Sequence, residues 1–174
     1  MFDVVVAADL DWGIGKASGL PWPKLKGDLA HFKRVTADAP AGQRNAIIMG
    51  RRTWESTEVA GRPLPRRLNI VISRSTLIAP EGVLSARSLD DALAAASVPD
   101  IAATFVVGGA QIFREALAHS ALRSVYLTRV EGRFGCDTVI PNLDAMGFVP
   151  VAWDGAVRDE DNHVRYRIER LVRG

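Results

Sequence analysis

Short runs of Val, Ile and other apolar residues recur along the chain at Val4–Ala8, Ala46–Met49, Asn69–Ile72 and Phe105–Val107, each closed by a polar or glycine-containing segment. Runs of this length with little polar alternation predict strands buried on both faces. Between them lie amphipathic stretches that predict helices over Asp28–Thr36, Arg51–Ser56, Leu89–Ala96 behind a cap-like Ser88, and Ala110–Ala118. The last third changes character. Ser124–Val130 and His163–Leu171 alternate apolar and polar residues, with Val164, Tyr166 and Ile168 on one face, as half-exposed antiparallel strands do. The pattern predicts one α/β domain over residues 1–174, with a mostly parallel central sheet flanked by helices and a C-terminal antiparallel strand pair. Ala37–Asn45, rich in Ala, Pro and Gly, reads as a loop, and no repeat or low-complexity tract interrupts the chain.

Composition narrows the classes of function. The 174 residues are 48% hydrophobic and 24% charged, which suits a soluble globular domain with a full core. A net charge of only +2 argues against a nucleic-acid partner. That charge is uneven, however: residues 51–74 hold six arginines (Arg51, Arg52, Arg62, Arg66, Arg67 and Arg74) against Glu55 and Glu58. A cationic window on a nearly neutral chain suits one or two small anions. The single cysteine, Cys136, excludes an internal disulfide, and His31, His119 and His163 have no metal-ligand spacing, so no metal is expected. No apolar run reaches the roughly 18–20 residues of a membrane span, and Asp3 stands where a signal peptide would be basic, so a cytoplasmic protein with no membrane partner is expected.

Several segments carry chemistry. Gly13-Ile14-Gly15-Lys16-Ala17-Ser18-Gly19 fits neither the dinucleotide fingerprint nor a P-loop, and reads as a mobile loop or a lid at a strand's carboxyl end. Val106-Val107-Gly108-Gly109-Ala110-Gln111 is a strand turning through paired glycines into a helix, where free amides favour a phosphate. Asp28 shares a helical face with Phe32 and Val35. It is either a helix cap or a carboxylate facing a pocket, and spacing alone favours the cap. His31 points off that face, toward solvent or a packing contact. Arg51 and Arg52 stand at the start of a helix, where cations are unfavourable unless an anion arrives. Arg66 and Arg67 offer forked donors to a carboxylate, and Ser73-Arg74-Ser75 could hold a second phosphate.

In order, these segments resemble the dihydrofolate reductase family over essentially the whole chain. The matching pieces are Gly15 through Leu20-Pro21-Trp22-Pro23, Asp28 to Lys33, Ile48 to Ser56, Gly61-Arg62-Pro63-Leu64-Pro65, Asn69 to Arg74, Val107 to Phe113, Tyr126-Leu127-Thr128 and Asp137-Thr138. The resemblance implies reduction of 7,8-dihydrofolate to tetrahydrofolate with NADPH, in support of one-carbon metabolism, by a monomeric antifolate target. It implies that Asp28 grips the pterin's 2-amino group and N3, and that Thr128 hydrogen-bonds Asp28 from behind, with Trp22 completing the catalytic set. Ala8, Leu29, Phe32, Thr57, Leu64, Val107 and Phe113 then surround the substrate, and Arg67 takes the carboxylate of its glutamate tail. Gly15–Leu20 becomes the lid over nicotinamide. The implied cofactor contacts are Ala8, Ile14, Gly15, Leu20, Gly50, Arg51, Arg52, Thr53, Ser73, Arg74, Ser75, Arg87, Gly108, Gly109, Ala110, Gln111, Ile112 and Phe113.

Reducing a C=N bond requires a proton as well as a hydride. On the implied reading, ionised Asp28 raises the basicity of the substrate's N5, and water admitted by lid motion delivers the proton. Phe113 and Gln111 depart from relatives that carry tyrosine and arginine there, and Ala37–Asn45 and Thr57–Ala60 are longer than in compact bacterial members. Two other readings are a pyrimidine reductase of riboflavin synthesis, which would not need Asp28 and Phe32 opposite Arg67, and a non-catalytic NADP- or folate-binding module, which would lack Asp28 or the glycine turn.

Overall fold

The structure, a computed structural model, describes residues 1–174. In chain order the elements are β1 (Phe2–Ala8), β2 (Gly13–Gly15), α1 (Lys26–Ala37), β3 (Arg44–Gly50), α2 (Arg51–Trp54), β4 (Arg67–Ile72), β5 (Leu84–Ala86), α3 (Leu89–Ala96), β6 (Ile101–Gly108), α4 (Ala110–Ala118), β7 (Leu122–Val130), β8 (Thr138–Val139), β9 (Phe148–Val151), β10 (Val157–Asp161) and β11 (Val164–Arg173). The main sheet runs β10-β11-β7-β1-β6-β3-β4-β5, with β9 also paired to β11, while β2 and β8 form a small separate ribbon. From β7 to β5 every pairing is parallel; β11 is antiparallel to β7, to β9 and to β10. The expected α/β fold with an antiparallel C-terminal end is therefore the one observed.

Alternate residues of the central strands feed two different cores, as a period of two requires. Val4 and Val6 of β1 pack with Ala92 of α3 and with Ile112, Ala116 and Leu117 of α4. Val5, on the opposite face, packs with Ile47, Met49, Phe105 and Trp54, against Phe32 and Val35 of α1. Each fully buried Val, Ile or Leu contributes about 1.5–3 kcal/mol, so covering both faces fixes the helix on each side. Ser88 caps α3 as expected, accepting from the Asp91 amide at 3.0 Å.

Several expectations are corrected. The strands β5, β9 and β10 were not legible as apolar runs: β10 reads Val-Arg-Asp-Glu-Asp, a charged edge strand, and β9 is an edge containing Pro150. Such edges are kept polar or interrupted because an apolar edge would recruit further strands. The partner that forms a hairpin with β11 is thus β10, and His163 belongs to the turn between them. Helix α2 stops at Trp54 rather than Ser56, and the predicted loop loses Ala37 to α1 and Arg44 and Asn45 to β3.

Of the two places expected for His31, solvent or a packing contact, the structure shows the packing contact. His31 is 2% accessible, with neither ring nitrogen hydrogen-bonded, wedged edge-on to Trp153 at 5.6 Å and tilted against Tyr126 at 6.3 Å. Burial, aided by the nearby Arg34 charge, pushes its pKa down to about 4. Neutral His31 therefore stabilises the fold fully above pH 6.5, and that contribution is lost as pH falls from 6.5 toward 4. We expect urea unfolding at pH 7.5 and 4.5 to differ by up to about 3 kcal/mol through this group, and His31→Phe to remove that part of the difference. An equal pH dependence in the variant would show that His31 is not its source.

Candidate functional site

The cleft opens at the carboxyl ends of the parallel strands, where helices begin and backbone amides are free. It measures about 1570 Å³ and is lined by residues from β1, the lid, α1, α2, α4 and the ends of β3, β4 and β6. Open α/β sheets place their ligands at this edge.

At one end stands Asp28. It does not cap α1: the cap residue is Leu25, without a side-chain bond, and Asp28 is the third residue of the helix. Its carboxylate is 8% exposed and accepts a 2.6 Å hydrogen bond from Thr128 of β7. Burial raises the Asp28 pKa, and the Thr128 bond opposes that rise by favouring the ionised form. Leu29, Phe32, Leu64 and Val107 line the same cleft. A carboxylate among apolar walls suits a flat ligand that presents hydrogen-bond donors at one edge.

At the other end the lining residues are of the kind that suit an anion. Gly50, Ser73, Arg74, Ser75, Gly108 and Gly109 supply backbone and hydroxyl donors where strands end, and α4 begins in the wall with no side-chain cap at Gly109. Gly108 has φ +142°, and a Cβ there would lie 2.8 Å from Thr53 Oγ1, so this turn requires glycine. The Gly108–Gly109 peptide is cis. Arg51 is held by Glu55 at 2.8 Å and also donates to Ser75 Oγ. Arg52, Arg74 and Arg87 make no ion pair within the chain. A smaller pocket of about 470 Å³ shares Ser73, Ser75 and Arg87 with this end. Unpaired guanidinium groups beside hydroxyls and an uncapped helix start fit a phosphate-bearing dinucleotide.

The lid crosses between the two ends. Its root, β2, pairs with β8, and the Ala17 amide donates to Asp137 Oδ2 at 2.8 Å. On the other side the Leu20 amide donates to Glu58 Oε1 at 2.9 Å, and the Thr57 amide reaches Ser18 O at 3.3 Å. A Cβ on Gly19 would approach Thr57 Oγ1 to 2.8 Å, so the lid lies directly on the segment after α2.

Most of the expected site residues meet in this cleft: Ile14, Gly15, Leu20, Asp28, Leu29, Phe32, Gly50, Arg51, Arg52, Thr53, Leu64, Ser73, Arg74, Ser75, Arg87, Val107 to Phe113, and Thr128. Four others do not line it. Ala8 is core, Thr57 supports the lid, and Trp22 packs on Phe134 with its indole N–H unpartnered. Arg67 is buried, donating to Pro65 O at 2.9 Å and Thr36 Oγ1 at 2.8 Å, with no carboxylate partner. Burial, and then the neighbouring Arg66 charge, lower its pKa. Glu58, Val5 and Val6 line the cleft without having been anticipated. The Glu58 contact had a trace in the sequence, the lengthened Thr57–Ala60 segment, whereas Asp137 stood in a recognised motif with no role attached.

Comparison with known proteins agrees with this geometry. The family model described as dihydrofolate reductase matches residues 1–173. The bifunctional dihydrofolate reductase-thymidylate synthase of Glycine max is 41% identical over 180 residues, covering 99% of this chain but 33% of the plant protein. The chain thus spans about a third of the plant relatives it matches. The dihydrofolate reductase of Rattus norvegicus is 34% identical, with 95% and 93% of the two chains covered. The solved Schistosoma mansoni dihydrofolate reductase superposes with a TM-score of 0.84 at 34% identity, over 98% of this chain and 96% of that one. By sequence, fold and the layout of its cleft, the chain belongs to the dihydrofolate reductase family.

Proposed function

We propose that this chain reduces 7,8-dihydrofolate to 5,6,7,8-tetrahydrofolate with NADPH, as a monomeric domain spanning residues 1–174 in the cytoplasm, with no nucleic-acid or membrane partner. The observation that carries the reading is the buried Asp28 carboxylate, bonded to Thr128 and facing an apolar cleft whose far end gathers unpaired arginines. No helix of the chain is long and apolar enough to cross a membrane, and the net charge of +2 offers little field for nucleic acid.

In this reading Arg51, Arg52, Thr53, Ser73, Arg74 and the Gly108–Gly109 turn hold NADPH, which when bound supplies the hydride to C6 of the pterin. Asp28 accepts from the 2-amino group and N3, orienting the ring, and its charge favours a proton on N5 through a field that the apolar walls leave unscreened. Phe32 and Leu64 pack the ring and tail, and Arg67 takes the tail carboxylate with the guanidinium donors that its own chain leaves open. The lid, tethered at Asp137 and Glu58, controls water entry to N5.

The ionised form of Asp28 does this work, and burial raises its pKa, so the acid limb of turnover lies above the ordinary carboxylate range. Asp28→Asn is expected to lower hydride transfer at pH 7 roughly 10²–10⁴-fold, with partial recovery in acid where the substrate protonates in solution. Unchanged turnover, followed as NADPH consumption with dihydrofolate, would sink the assignment. Arg67→Ala should mainly raise the dihydrofolate KM, about tenfold or more for a charged hydrogen bond worth about 1.5–3 kcal/mol, and an unaltered KM would remove Arg67 from the substrate site. Replacing Arg51 and Arg74 together by neutral residues should erase the preference for NADPH over NADH. A preference that persists would mean that another group reads the 2′-phosphate.

A further inference from the structure

The amino end of α1 is held by the far end of the chain. The Lys26 amide, the first of the helix, donates to Asp161 Oδ2 at 2.7 Å across 135 positions, supplying the cap that Leu25 lacks. Asn162 Nδ2 donates to the Lys24 carbonyl. Directly after these residues comes Gly27, where an added Cβ would sit 2.1 Å from the Tyr166 hydroxyl and 3.5 Å from Asp159 Oδ2. Tyr166 is 2% exposed, and its hydroxyl donates to Asp159 at 3.4 Å. Four side chains of the β10–β11 hairpin thus close on Lys24, Lys26 and Gly27, the residues just before Asp28.

The same hairpin also sets the other end of the Asp28 hydrogen bond. β11 pairs with β7 in a register that places Ile168 opposite Thr128 and Tyr166 opposite Val130. Its tip, Asn162-His163, is a two-residue turn with φ of +48° and +62°, the sense that matches strand twist. Two residues lacking glycine's freedom are held in the left-handed region where Asn162 reaches Lys24. One rigid ribbon therefore spans from the strand that carries the donor to the helix that carries the acceptor.

We propose that the β10–β11 hairpin is a gauge for the Asp28–Thr128 distance, with Asp161 and Tyr166 as positioning residues for the substrate-anchoring carboxylate. This rests on the reading of Asp28 given above. Loosening the grip on α1 lengthens the Thr128 bond, and a buried carboxylate with a weaker donor titrates at higher pH. The titratable groups facing this corner are Tyr166 of β11, Asp159 and Asp161 of β10 and Lys26 of α1. Burial, then Asp159, then the field of Asp28 hold the Tyr166 hydroxyl up at about 12, so it stays a neutral wedge through the range in which Asp28 titrates.

The test follows the Asp28 carboxyl carbon by ¹³C NMR titration of the ligand-free protein, with its signal assigned through Asp28→Asn. Dihydrofolate and NADPH KM values are measured on the same samples. Asp161→Ala and Tyr166→Phe should each move the Asp28 midpoint upward by about half a pH unit or more and raise the dihydrofolate KM several-fold, leaving the NADPH KM within about twofold. Asp161→Asn, which keeps an acceptor oxygen, should restore both values. An unmoved midpoint in folded Asp161→Ala and Tyr166→Phe would overturn the proposal, whatever their thermal stability. If the midpoint moves while Asp28→Asn turns over dihydrofolate normally, the gauge stands and the role given to Asp28 fails.

Discussion

A carboxylate taken out of water and held by one hydroxyl is the constraint around which this molecule is arranged. The Asp28–Thr128 bond joins a helix on one face of the sheet to a strand within it, and it is useful only if both stay put. Burial pushes the carboxyl toward its neutral form, and a single short donor opposes that push. A carboxylate in this balance responds strongly to a ligand that brings hydrogen-bond donors, because within the chain Thr128 is its one side-chain donor. The apolar residues around it, Leu29, Phe32 and Leu64, exclude the water that would otherwise dilute the interaction.

The two ends of the cleft solve recognition differently. At the arginine end the fold supplies many modest donors from strand ends, a glycine turn and an uncapped helix, an arrangement that tolerates the motion of any one of them. At the Asp28 end there is one carboxylate with one hydroxyl donor, and little redundancy. That contrast explains why the supporting structure is heavier there: α1 is tied through Lys24, Lys26 and Gly27, while Arg67 is fixed by Thr36 and Pro65 before any ligand arrives. The lid joins the two regimes, bonded to Asp137 on one side and Glu58 on the other.

What could be read from the sequence follows from where each signal is stored. Buried strands such as β1 and β4 announce themselves because both faces must be apolar, and α3 and α4 because one face must be. β10 is invisible by the same logic: an exposed edge strand has no apolar requirement, and Val-Arg-Asp-Glu-Asp reads as a loop. Asp28 was misjudged on spacing for a related reason. An acid in the first turn is ordinarily a local cap, whereas here the cap is Asp161, a residue no window around α1 contains. The family resemblance set Asp28 in the cleft where spacing favoured a cap, but it did not reveal that Arg67 is buried on Thr36 and Pro65 outside the cleft lining. The lid contact made by Glu58 left only the trace of a lengthened Thr57–Ala60 segment, since it depends on two loops meeting.

The long reach of the β10–β11 hairpin has a temporal side. In a chain synthesised from its amino end, β1, β3, β4, β6 and the glycine turn are complete by Gly109, so every strand that frames the arginine end exists while the last third is unmade. Asp28 is made earlier than all of them but β1, yet its helix lacks a cap until Asp161 follows, 135 positions after Lys26. Until then neither that cap nor the antiparallel strands β10 and β11 have been made. The order of synthesis thus supplies the strands of the arginine end first and the residues that hold the acid end last.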